Sequence, residues 1–172
     1  WARKAAQGVT FWMGHRRCLY GQYPLGESAF VAELCSLIFS NLDTSNYTLR
    51  CEVMYRDLAG DTQLPNIFGP RSRADIVILE RSAKKDGAAV PKFVIEVKRA
   101  SASMREVNND LLRLSEIGSI LKECRLMLFI ISEGRRPKNF VTMKGTSRSG
   151  TREVIGGNAC YCIRSTAKAA HS

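Results

Sequence analysis

Arg73-Ala74-Asp75-Ile76-Val77-Ile78-Leu79 and Phe93-Val94-Ile95-Glu96-Val97-Lys98 are the two stretches whose reading decides the fold. Both are short and rich in Val and Ile, the composition of buried strands, yet each holds charge where an interior would exclude it. Side chains alternate along a strand, so Glu96 and Lys98 project together while Phe93, Ile95 and Val97 project to the other side. Between the runs, Lys84-Lys85-Asp86-Gly87 is turn chemistry and predicts an extended hairpin. That hairpin would gather Asp75, Glu96 and Lys98.

Upstream, Phe30, Val31, Leu34, Leu37, Ile38 and Leu42 recur at helical spacing, and the pattern predicts a helix over 24–42. Tyr47 to Arg56 alternates, with Leu49, Cys51, Val53 and Tyr55 on one side, as in a half-buried antiparallel strand. Residues 57–72 form a long, turn-rich connection of the kind that often carries function. Downstream, Ser103 and Glu106 make an S-x-x-E capping box that opens a helix with a stripe of Met104, Val107, Leu111, Leu114 and Leu121. Leu126 to Ile131 reads as a strand buried on both faces. A basic turn, Gly134-Arg135-Arg136-Pro137-Lys138-Asn139, leads through a poorly patterned stretch to a last strand around Ala159 to Arg164.

The order helix, strand, strand, strand, helix, strand predicts an α/β fold, a mixed β-sheet flanked by helices. Residues 1–172 read as a single domain: a basic, aromatic N-terminal arm over 1–23, a core over 24–164 and a tail over 165–172. The length is enough to bury an ordinary single core.

With 26 Lys+Arg against 16 Asp+Glu the chain carries a net charge of +10. Such an excess favours polyanions, nucleic acid first and an anionic membrane surface behind it. No apolar run reaches the length of a spanning helix, so no membrane is expected. Trp1 to Gly8 lack the apolar centre of a secretory signal, and an intracellular location, cytoplasmic or nuclear, is the expectation. The six cysteines, Cys18, Cys35, Cys51, Cys124, Cys160 and Cys162, lack the paired spacing of a zinc site and read as reduced, structural thiols.

Asp75 and Glu96 are hard oxygen donors of the kind Mg2+ takes, with Mn2+ as its substitute. Lys98 could orient an attacking water and offset charge in the transition state, a set suited to phosphodiester hydrolysis. The plain alternative makes Glu96 and Lys98 the solvated face of an antiparallel strand. Two helices available to cover the sheet argue for a cleft instead.

Arg-Ala-Asp75, 20 intervening residues and Glu96-Val-Lys98, on an α-β-β-β-α-β order, resemble the PD-(D/E)XK nuclease superfamily, the restriction-endonuclease-like fold. The resemblance covers roughly residues 24–132, with Ala74 where the motif often has proline. It implies that Asp75 and Glu96 bind Mg2+, that the Val97 carbonyl adds a ligand, and that Lys98 serves the water or the scissile phosphate. It also implies a glutamate on the first helix. Glu27 and Glu33 compete for that role, and helical phase favours Glu27, near the middle of the Phe30, Leu34, Ile38 face.

Arg71, Arg73, Arg99 and Arg105 surround the hairpin and are the expected phosphate contacts; each could equally be part of a solvated face. The resemblance also implies polar residues of the second helix facing the site, among Asn108, Asn109 and Asp110, with Asn108 the best placed; Glu52 is a weaker candidate for the metal and reads as half of a cross-strand ion pair. Trp12 to Arg17 mix aromatics with cations, which suits base stacking, although packing of the arm on its own domain is the commoner use. The expected activity is a Mg2+-dependent nuclease acting on DNA, with RNA as the other substrate and a homodimer or larger assembly compatible with it. The alternative is a nuclease-fold module that binds nucleic acid or a protein without cutting.

Overall fold

The computed structural model describes residues 1–20, 25–82, 88–132, 149–153 and 159–165. The elements are α1 (Ala2–Tyr20), α2 (Glu27–Phe39), β1 (Tyr47–Met54), α3 (Tyr55–Ala59), β2 (Arg73–Glu80), β3 (Val90–Arg99), α4 (Met104–Ile120), β4 (Arg125–Ser132), β5 (Ser149–Glu153) and β6 (Ala159–Ser165). The strands form one six-stranded sheet in the order β1-β2-β3-β4-β6-β5. β3 and β4 are parallel and every other neighbouring pair is antiparallel. A parallel pair needs a long crossover, which α4 supplies.

The apolar runs of β2, β3 and β4 feed two cores, one on each face of the sheet. Ile76, Ile78, Ile95, Val97, Met127, Phe129 and Ile131 meet Phe30, Leu34 and Ile38 of α2 on one side. Val77, Leu79, Val94, Leu126, Leu128 and Ile130 meet Val107, Leu114 and Ile117 of α4 on the other. The sheet is therefore covered on both faces, as near-continuous hydrophobic strands require. The β2/β3 register shifts between Ile78 and Leu79, where Leu79 comes to face Pro91. A proline lacks the donor a ladder needs, and Pro91 precedes Phe93, where pairing with β4 begins.

The capping box forms as read: the Glu106 N–H donates to Ser103 Oγ at 3.2 Å and the Ser103 N–H donates to Glu106 Oε2 at 2.7 Å. Other expectations need correction. The N-terminal stretch, open on sequence between an irregular arm and a short extra element, forms the helix α1 over its described residues 2–20. Its buried stripe is Ala5, Ala6, Val9, Thr10 and Met13, in which the small alanines let the helix lie close to α2. A Cβ on Gly8 would stand 2.8 Å from Leu37 Cδ2, so this glycine marks the close approach. Trp1 packs edge-on to Phe93 with ring centroids 5.0 Å apart, and Trp12 packs against Phe30 at 6.3 Å. These aromatics serve packing rather than base stacking.

The first strand ends at Met54, not Arg56, and Tyr55 opens the short helix α3. β6 matches the expected last strand, and β5 falls in the stretch that showed no pattern. The turn at 84–87, the basic turn at 134–139 and the tail beyond Ser165 lie outside the described residues. No helix among the described residues is long and apolar enough to cross a membrane.

Candidate active site

The site is built at a fork in the sheet. The β2/β3 ladder runs to Ile76 opposite Ile95 and stops, while β1/β2 continues to Met54 opposite Arg73 and β3/β4 to Arg99 beside Ile131. Extending the register sets Asp75 directly across from Glu96, at the point where the two strands part. The Val97 N–H, having no backbone acceptor on β2, donates to Asp75 Oδ2 at 2.7 Å. Asp75 thus closes the ladder with its side chain.

Glu96 is 2% exposed. An ionised carboxylate there, facing a second one, would cost several kcal/mol, and the group keeps its proton instead. Burial, followed by the charge of Asp75, pushes the Glu96 carboxyl well above the usual range, and the Tyr55 hydrogen bond opposes this only in part. Burial also raises Asp75, against the pull of the Val97 N–H, the hydrogen bond from Glu96 and the charge of Lys98. Tyr55 donates its hydroxyl to Glu96 Oε1, and is itself held by Phe68, ring centroids 4.8 Å apart, and by the bond from its N–H to the Ser72 carbonyl at 3.1 Å. The 57–72 connection therefore fixes the phenol that orients Glu96.

Lys98 projects on the same face as Glu96, as alternation demands. Its Nζ donates to Glu27 Oε1 at 2.8 Å and lies 3.4 Å from Asp110 Oδ2. Burial would lower its pKa, but the Glu27 hydrogen bond and the charges of Asp110, Glu27 and Asp75 outweigh it, so the ammonium stays charged. The Arg99 N–H reaches Glu27 Oε2 at 3.4 Å. Glu27, in the first turn of α2, is thus the helix glutamate that joins the cluster; Glu33 does not bond to Lys98.

Tyr55 and Arg113 were not candidates on sequence, and Asp110 stood behind Asn108. Asp110 is fully buried on α4 and accepts from Arg113, whereas Asn108, the residue favoured beforehand, is exposed. A signal existed: Asp110 falls on the stripe of Val107, Leu114 and Ile117, where an acid needs a buried cation. Tyr55 was read as one more apolar position of β1. Arg113 sits one turn beyond Asp110 and lines an open groove with Glu52, Gly69, Pro70, Arg71, Ser72 and Arg73.

Of the expected phosphate contacts, Arg71 and Arg73 are exposed and line this groove, Arg105 is exposed in the first turn of α4, and Arg99 is half-buried beside Glu27. The register places Glu52 across from Asp75, a like charge, so the expected ion pair with the facing strand position does not form. Glu52 instead takes a left-handed φ of 54° and turns to solvent. Glu96 and Lys98 are not a solvated face, and Asp75 is their immediate neighbour. That removes the plain surface-charge reading.

The chain matches no protein-family model, no curated protein and no solved structure. Among the described residues no group of three or more His, Cys, Asp or Glu side chains is placed to hold a metal. What the fork offers is a two-carboxylate donor set, the kind a hydrated Mg2+ uses with water and substrate oxygens.

Proposed function

We propose that the chain is a Mg2+-dependent nuclease of the PD-(D/E)XK type with a restriction-endonuclease-like fold, hydrolysing phosphodiester bonds in DNA. The observation that carries this reading is the convergence of Asp75, Glu96 and Lys98 at the β2/β3 fork, with Glu27 of α2 bonded to Lys98. Two opposed carboxylates, one of them buried, are a place where a cation would relieve the repulsion. Asp75 and Glu96 fit that role, with the Val97 carbonyl as the further ligand. Mg2+ held there would polarise the phosphate and lower the pKa of a bound water.

The chain's own groups supply the rest. Lys98, kept charged by Glu27 and Asp110, faces the position where negative charge grows on the phosphate. Tyr55 fixes the rotamer of Glu96. Arg71, Arg73 and Arg113 set a positive rim beside the acids, able to hold a strand by its phosphates without reading its sequence.

A second reading, a nuclease-fold module that binds without cutting, has one observation in its favour: Lys98 is already occupied by two carboxylates. Cleavage assays on supercoiled, linear and single-stranded DNA separate the two. Wild type should cut with Mg2+ and not with EDTA. Lys98→Ala should lose about 10²–10³-fold in rate, the size of losing one transition-state charge partner, and Asp75→Ala should be inactive. Tight, salt-sensitive DNA binding with no cleavage under any metal would support the binding module instead.

A further inference from the structure

Away from the carboxylates, α2 and β1 bring two thiols into contact. Cys35 is half-buried on α2 and Cys51 is exposed on β1, with their Sγ atoms 2.7 Å apart. A disulfide bond measures about 2.05 Å, so joining them needs a movement of under about 1 Å. The sequence reading treated every cysteine as a structural thiol. Cys35 and Cys124 do pack against the two cores, but an exposed cysteine seated on a second sulfur is not filling space.

We propose that Cys35 and Cys51 are a redox-active dithiol that a peroxide closes to a disulfide, tying α2 to β1. Exposure decides the order of events. The Cys51 sulfur attacks a peroxide oxygen, the O–O bond breaks, and Cys51 sulfenic acid forms with release of water. The Cys35 sulfur then attacks the Cys51 sulfur, the S–S bond forms, the S–O bond breaks, and the Cys35 proton leaves with the hydroxide as a second water. Two thiols give up two electrons and one hydrogen peroxide becomes two waters.

The environment suits this division of labour. Burial, the adjoining Cys51 and the charges of Asp75 and Glu52 all push the Cys35 thiol up. Cys35 is therefore the poorer target for free peroxide, and it gives up its proton only as it attacks the adjoining Cys51 sulfenic acid, whose leaving hydroxide takes it. The bond would join the helix that carries Glu27 to the strand that runs directly into Tyr55.

The experiment is a hydrogen peroxide titration of the purified protein, followed by denaturing alkylation and peptide mass mapping. Wild type should lose the mass of two hydrogens and yield a linked peptide pair containing Cys35 and Cys51. Its Tm should rise by about 5–10 °C, the effect of closing a loop of this length in a chain of this size, and dithiothreitol should reverse the rise. Cys35→Ser should stop at a Cys51 sulfenic acid that dimedone traps. Cys51 driven to sulfinic acid while Cys35 remains alkylatable would overturn the proposal. So would a bond mapped to any other pair, and both readouts come from the wild type.

Discussion

Glu96 holds its proton because β3 sets it under α4, opposite Asp75, with one phenol for company. Its folded-state pKa lies well above its unfolded value. Between those values the native state keeps a proton that the unfolded chain has released. The associated stability is thus full below the ordinary glutamate range and is lost as pH rises through the folded value. In EDTA, urea unfolding of the wild type should give a midpoint that falls steadily from about pH 5 upward. Glu96→Gln keeps the shape and cannot ionise, so its midpoint should fall less steeply, by the share that Asp75 still carries. Parallel slopes for the two proteins would show that Glu96 does not carry the effect. At this scale Asp75, Glu96 and Lys98 were legible because charge inside a Val/Ile run has few innocent explanations, and helical phase favoured Glu27. Asp110 ranked behind Asn108 and Tyr55 was hidden, because one acid on a stripe and one aromatic in a strand look ordinary until their partners, 12 and 41 positions away, are known.

Among the elements, α1 is the one that sequence pattern concealed. A helix recognised by Leu and Ile at its buried positions announces itself; α1 buries Ala5, Ala6, Val9, Thr10 and Met13 at helical spacing, but its alanines and threonine give that stripe a weak hydropathy signal and let it pack closely on α2 at Gly8. The same property makes it testable. Gly8→Leu must place a branched side chain where Leu37 already lies, forcing α1 away from α2 and unseating Trp12 from Phe30. Overpacking of this sort costs about 1–3 kcal/mol, which denaturant unfolding would record as a lower midpoint. A variant as stable as wild type would mean that α1 contributes little to the core. By contrast α4 was legible to the residue at its start, since Ser103 and Glu106 satisfy each other's backbone and need no tertiary partner to do so.

Across the whole molecule, the positive charge and the sheet's edges matter most. A net charge of +10 with Arg71, Arg73 and Arg113 on one groove predicts DNA binding whose affinity falls linearly in log–log form with salt. Removing Arg71 or Arg73 should weaken binding to all sequences alike and flatten that slope by about 1 each. An unchanged slope would place the DNA elsewhere. The α/β class and the mixed sheet could be read from strand order and burial pattern, whereas the six-strand order could not, because β5 has no apolar signature and joins the sheet only through β6. One end of that order is β1, whose outer side has no neighbouring strand among the described residues. An unguarded edge is a template on which another chain can grow. Here the left-handed turn of Glu52, flanked by exposed Arg50 and Cys51, interrupts the template midway. A second sheet sliding up to it would find mismatched register and fixed charge, so the residue that failed to make an ion pair also keeps separate copies of this chain from zipping together.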